Sequence, residues 1–172
     1  IVNIFNIIEN GRSIGSNVIF PIVEKIIETI YYTDDCSVLL LTGFRTKTDY
    51  FYAHSLDVCI YCILAAKEMG FKLDEIVALG VAALLHDLGK IKIPGSILQK
   101  EGALTDEEFK YVKNHSIFGK QMVLKIQGLP GEIGEIILQH HERCDGSGYP
   151  YGLKGPDINI LSKIIAVADV YD

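Results

Sequence analysis

Apolar residues recur at helical intervals along most of the chain, and no segment shows convincing strand alternation. Asn17 and Pro21 stand near the start of an apolar-periodic run that reaches about Ile30. Asn10-Gly11 marks a turn before it, which predicts a separate short helix for the first residues. A second short apolar segment, Ser37 to Leu41, precedes a polar link from Thr42 to Asp49. The segment around His54 continues helically to Met69 and stops at Gly70, a residue suited to the left-handed position after a helix. Asp74 is the expected cap of the next helix, which runs through Ala78, Ala82 and Ala83 into His86 and Asp87 and ends at Gly89. Pro94-Gly95 is a break, and Thr105 to Glu108 form a capping box predicted to start a helix that carries His115. Gly128 to Gly131 interrupt the chain again, and the following helix is expected to deliver His140 and His141. A loop rich in glycine and proline spans Asp145 to Pro156, and a last helix from near Leu161 carries Asp169. The prediction is an all-α bundle, with lead-in helices over 1–48 and the main domain over 49–172.

At 172 residues, with 49% apolar residues, the chain is long enough for one domain with a sizeable core. Mean hydropathy is positive, at +0.26. The best strictly apolar stretch, Val77 to Leu85, is far short of the roughly 20 residues of a membrane span and reads as a buried helix. The net charge of −6 argues against a broad surface for a nucleic acid polymer. An anionic substrate therefore needs local positive charge, which a bound metal supplies. The chain opens on Ile1 with no basic-then-apolar leader, so it is expected to be an excised part of a longer, cytoplasmic protein. Of the four cysteines, Cys36, Cys59, Cys62 and Cys144, the pair Cys59 and Cys62 forms a C-x-x-C on an amphipathic helix. Buried thiols in a reducing compartment account for it better than a redox or zinc site.

The polar residues change the picture most. All five histidines, His54, His86, His115, His140 and His141, fall into one spaced pattern with Asp87 and Asp169. Imidazole and carboxylate form a ligand set for borderline transition metals, and these groups exceed what one ion needs. Each histidine taken singly reads as a hydrogen-bonded structural residue. A pattern that leaves none unused, with a His-Asp and a His-His dipeptide in it, favours two ions sharing a ligand. His86 and Asp87 would lie about 100° apart on a helix, which suits an Asp87 carboxylate bridging two ions better than chelation of one. Dinuclear centres with ions roughly 3.5–4 Å apart serve in-line displacement at phosphorus. Lys90 would place an ammonium beside the phosphate, or else complement the dipole of a helix end, worth roughly 0.3–1 kcal/mol.

His86-Asp87-Leu88-Gly89-Lys90 resembles the signature of HD-superfamily metal-dependent phosphohydrolases. The run from His140 and His141 through Glu142, Asp145, Gly146 and Gly148 to Tyr149 and Pro150 resembles the second signature of the HD-GYP family. Asn114 to Gly119 and Ala166 to Asp172 are similar to that family as well, so the likeness runs from His54 to the end of the chain. The resemblance implies a phosphodiesterase that hydrolyses the bacterial messenger cyclic di-GMP to the linear dinucleotide and, on further cleavage, GMP. By the same resemblance His54, His86 and Asp169 hold one ion, His115, His140 and His141 the other, and Asp87 bridges. Asp87 and Lys90 are the candidate catalytic residues. Lys90 contacts the scissile phosphate, and Gly148, Tyr149 and Pro150 shape the substrate loop. Two divalent ions, iron or manganese, are the implied cofactors.

Members with a third ion carry a glutamate four residues before the first histidine, where this chain has Tyr50, so two ions are expected. The family also continues past the position of Asp172 with arginines suited to phosphate contacts. The lead-in helices leave room for an N-terminal sensor domain, and a GGDEF-type protein is a candidate partner. Two other readings stand beside this one. The first is another HD nucleotide phosphohydrolase; the G-Y-P loop weighs against it. The second is a catalytically silent receptor or scaffold; the presence of all the candidate ligands weighs against that.

Overall fold

Four of the helix-forming runs become helices that bury an apolar stripe against one central rod. The computed structural model of the protein describes residues 2–10, 12–32 and 50–172. In chain order these hold α1 (Val2–Glu9), α2 (Ser16–Tyr32), α3 (Tyr50–Glu68) and α4 (Leu73–Leu85), followed by a 3-10 turn, Leu88–Lys92. The short α5 (Gly95–Leu98), α6 (Asp106–Val112), α7 (His115–Val123) and α8 (Gly131–Leu138) come next, then a 3-10 turn, Gly155–Asp157, and α9 (Ile160–Tyr171). No strand occurs among the described residues, so the all-α expectation holds. No helix among them is long and apolar enough to cross a membrane. Ser37 to Leu41, the Thr42 to Asp49 link, Cys36 and the side chain of Tyr50 lie outside the described residues.

The rod is α4, buried continuously from Ala78 to Leu85. α3 lies along it, and α2, α8 and α9 cover its other sides. Gly80 is what lets α2 approach: a Cβ there would stand 2.6 Å from Val23 Cγ1. The lead-in helices share this core. Phe5 of α1 meets the rings of Phe51 and Tyr52 edge-on at 5.2 and 5.5 Å. Cys59 and Cys62 are fully buried in α3, and Cys59 Sγ donates to Gly80 O. Burial pushes the Cys59 thiol up to about 12, so it remains protonated and inert at neutral pH.

Helix ends depart from the sequence reading in four places. α4 is capped at Lys72, whose backbone N–H donates to Glu75 Oε2, so Asp74 falls inside the first turn and faces the helix dipole. α4 stops at Leu85, leaving His86 and Asp87 on the turn beyond it. The Thr105–Glu108 capping box forms as expected, but its helix ends at Val112 and His115 opens a new one. α8 ends at Leu138, before His140 and His141. The last three departures have one cause, in the histidines themselves.

Candidate metal centre

The final carbonyls of a helix lack intrahelical partners. His86, His115 and His140 each stand just past such an end and turn Nδ1 back onto the carbonyl three residues earlier. The acceptors are Ala83 O at 2.7 Å, Val112 O at 2.8 Å and Ile137 O at 2.5 Å. A carbonyl can only accept, so Nδ1 carries a proton and Nε2 is aimed inward, with a free lone pair wherever the ring is neutral. The helix ladder is given up at these points and the side chain takes its place. His54 sits inside α3, and its Nδ1 instead meets the carboxylate of the residue that follows α9, Asp172 Oδ2, at 2.6 Å.

The Nε2 atoms converge around Asp87. Its Oδ2 lies 3.4 Å from His86 Nε2 and 3.9 Å from His54 Nε2, and its Oδ1 lies 3.5 Å from His115 Nε2. Asp169 Oδ1 is 3.0 Å from His54 Nε2 and 3.7 Å from His86 Nε2. On the other side His115 and His140 bring their Nε2 atoms to 3.3 Å, and the His141 ring stands 4.9 Å from that of His115. Two ligand sets result, His54/His86/Asp87 and Asp87/His115/His140/His141, with Asp87 in both and one carboxylate oxygen towards each.

A divalent cation fits these residues. Among the described residues, His86 Nε2 and Asp87 Oδ1 are buried without a hydrogen-bond partner. His115 and His140 face each other through two lone pairs, which cannot bond to each other. Buried polar atoms left so are costly, and a cation accepted by all of them removes the cost. The electrostatics of the two sets differ. Burial, then His141, holds His140 far below the usual imidazole range, and burial brings His141 down to about 4 and lowers His115. These three are neutral donors. Burial also opposes charge on His86, but Asp87 and Asp169 outweigh it and lift His86 to about 10. His54 is raised in the same way, by Asp169 and Asp172 against burial. Asp87, although buried, is pulled far down by His86 and Lys90.

Glycines set the spacing. Gly89 lies so close to α7 that a Cβ would be 1.8 Å from His115 O and 2.5 Å from Gly119 N. That approach seats Asp87 opposite His115. After His141 the chain folds over the centre. Glu142, buried, accepts from the backbone N–H groups of Tyr151 at 2.7 Å and Leu153 at 2.9 Å, and Tyr149 N donates to His141 O. A Cβ on Gly148 would strike the Glu142–Arg143 backbone at 2.3–2.6 Å. The Tyr149 ring lies on that of His141, 4.7 Å between centroids and 32° apart, and the Tyr149–Pro150 bond is cis. Gly148 and Tyr149 border a cleft of about 280 Å³ whose walls include His140, His141 and Asp169. Pro150 is not among its lining residues. Lys90, in the 3-10 turn, places Nζ 2.5 Å from Asp87 Oδ2.

The structure thus brings His54, His86, Asp87, His115, His140, His141 and Asp169 into one centre. Sequence reasoning assigned no role to Asp172 or to Glu142, although both stand inside the quoted motif runs. Their partners, a ring nitrogen on α3 and two loop amides, become neighbours only through the fold.

The HD domain family matches the chain over residues 53–172. The chain is 35% identical over 172 residues to a cyclic di-GMP phosphodiesterase of Pseudomonas aeruginosa, covering all of this chain and 41% of that protein. It is 35% identical over 144 residues to the 3'3'-cGAMP-specific phosphodiesterase 1 of Vibrio cholerae, covering 78% of this chain and 31% of that one. Among solved structures, a HDG"Y"P protein from Bdellovibrio bacteriovorus superposes with a TM-score of 0.75 at 26% identity, over 89% of this chain and 50% of that one. The chain spans less than half the length of these two curated relatives.

Proposed function

Since this chain belongs to the HD domain family, in its HD-GYP branch, we propose that it is a dinuclear metal phosphodiesterase acting on cyclic di-GMP. The observation that carries this reading is the shared carboxylate. Asp87 Oδ1 is orphaned on the His115 side, and Asp87 Oδ2 faces an equally orphaned His86 Nε2. His54, His86 and Asp169 hold one ion in this proposal, His115, His140 and His141 the other, and Asp87 spans both. Nitrogen-rich shells with carboxylates suit iron, manganese, zinc, cobalt or nickel, and the resemblance to the HD-GYP family favours iron or manganese among them. When bound, two such ions supply Lewis acidity at the phosphate and an activated water for in-line attack.

The chain's own contribution is positioning. The three backbone-anchored imidazoles hold their Nε2 atoms in place before any ion arrives. Lys90 lies against Asp87, and in this reading its ammonium would meet the charge that grows on a phosphate oxygen. The loop pinned by Glu142 lays Gly148 and Tyr149 along the cleft. Hydrolysis adds water oxygen to phosphorus and releases the ribose 3′ oxygen with a proton, opening the ring to the linear dinucleotide. With a messenger of this kind as substrate, this reading sets the enzyme in the cytoplasm.

The test is anaerobic loading with Fe(II) or Mn(II), elemental analysis, and turnover of cyclic di-GMP beside 3′,3′-cGAMP. The second substrate is included because a relative so named matches most of this chain. Two ions per chain with metal-dependent opening of cyclic di-GMP is the expected result. Preference for the mixed ring moves the substrate to the second reading, and binding without turnover leaves a receptor.

A further inference from the structure

This inference rests on the cyclic dinucleotide reading above. Such a substrate carries two phosphodiesters in one ring, and the metal centre engages one of them, so protein charge has to meet the other. Among the residues lining the cleft beside the centre, the cations are Lys113 and Arg143. Glu142 and Asp169 line it too; the Glu142 oxygens accept from the Tyr151 and Leu153 amides, and Asp169 Oδ1 faces His54 and His86, so among the described residues neither is ion-paired to Lys113 or Arg143.

Lys113 is unlike an ordinary surface lysine. Its Nζ stands 4.6 Å from the Phe109 ring centroid and 5.4 Å from that of Tyr149, both within the roughly 6 Å reach of cation–π attraction. Its side chain is half-buried, and among the described residues no carboxylate forms an ion pair with it. Tyr149 rests in turn on His141. An ordered stack therefore runs from a candidate metal ligand through one aromatic ring to a held ammonium. Lys113 also belongs to the break between α6 and α7 that aims His115, so one backbone turn sets both the ligand and the cation. Fixing a lysine costs side-chain entropy; a charge fixed in advance, without a counter-charge, favours an incoming anion.

We propose that Lys113 binds the second, non-scissile phosphate of the cyclic dinucleotide, and that it thereby separates a two-phosphate ring from a simple phosphodiester. The test uses the metal-loaded chain with Lys113→Met, which keeps an apolar stem against Phe109 and Tyr149, and Lys113→Arg, which keeps the charge. Metal content, equilibrium binding of cyclic di-GMP, and steady-state kinetics on cyclic di-GMP and on bis(p-nitrophenyl) phosphate are measured.

With Lys113→Met the dissociation constant for cyclic di-GMP should rise about 10- to 100-fold. The loss should appear in KM more than in kcat, and Lys113→Arg should recover most of it. The penalty in kcat/KM should be about tenfold smaller, or less, for bis(p-nitrophenyl) phosphate, which has one phosphate. Equal penalties on both substrates, loss of metal in Lys113→Met, or undiminished binding of cyclic di-GMP would each overturn the assignment. A wild-type chain that neither binds nor opens cyclic di-GMP overturns the substrate reading itself, and this inference with it.

Discussion

Replacing Gly89 by alanine tests whether close backbone approach is what builds the centre. The added Cβ would lie 1.8 Å from His115 O, 2.8 Å from His115 C and 2.5 Å from Gly119 N, all of them backbone atoms. Ordinary contact begins near about 3.5 Å, so the turn and α7 must part by well over an ångström. Overpacking of this kind costs about 1–3 kcal/mol, and backbone neighbours that cannot rotate away put Gly89→Ala at the upper end. For a domain of this size about 3 kcal/mol corresponds to a fall in Tm of about 6–12 °C. The parting also separates Asp87 Oδ1 from His115 Nε2, now 3.5 Å apart, so metal should be lost from the His115 side first. Gly119→Ala is the milder companion, because its nearest contact is the Ile137 Cγ2 methyl at 3.0 Å. Gly95→Ala, with nothing within 4 Å, is the control. Thermal melts and elemental analysis on the three variants decide the matter. A Gly89→Ala protein with two ions and a Tm within about 2 °C of wild type would refute the packing argument.

Asp87→Ala should lose both ions, whereas His115→Ala should weaken one preferentially; elemental analysis after dialysis reads both, and two retained equivalents in Asp87→Ala would rule out a shared carboxylate. Lys90→Ala should keep fold and metal while turnover falls about 10²–10³-fold, since a charge aimed at the transition state is lost; unchanged turnover would return Lys90 to the role of a cation at a helix end. Glu142→Gln weakens two charge-assisted bonds and should loosen the loop over the cleft, at a cost of about 1–3 kcal/mol. Faster amide exchange at Tyr151 and Leu153 would report it, and unaltered protection would place the loop's anchor elsewhere.

The class of fold and the ligand inventory could be read from the chain because both depend on residue type and coarse period. Val23 and Ile27 on α2, or Ile133, Ile136 and Ile137 on α8, repeat at helical spacing and are buried. Where the helices end could not be read that way. Nothing in the periodicity of Ala78 to Leu85 says that His86 will leave the ladder, since its competitor is its own side chain taking Ala83 O. The same competition split the expected helix at Asn114 and ended α8 before His140. Asp172 escaped because its partner, His54, is 118 positions away in sequence. Gly89 was read as a helix terminator; its larger role, admitting α7 against the Asp87 turn, depends on a contact with a distant segment.

These anchors give the two halves of the centre different physical characters. His115 and His140 are oriented by carbonyls of their own chain segment, which no side-chain substitution can remove. They are neutral when the site is metal-free, so an ion meets lone pairs directly. On the other side His86 carries a proton drawn to Asp87 and Asp169, and an arriving ion must displace it. His54 there depends for its orientation on Asp172, at the C-terminal end of α9. The half that draws on Asp169 and Asp172 is therefore tied to the docking of α9 on α3, while the His115 half is tied to the Gly89 approach. Asp87, between them, is where a disturbance of either packing contact reaches both ions.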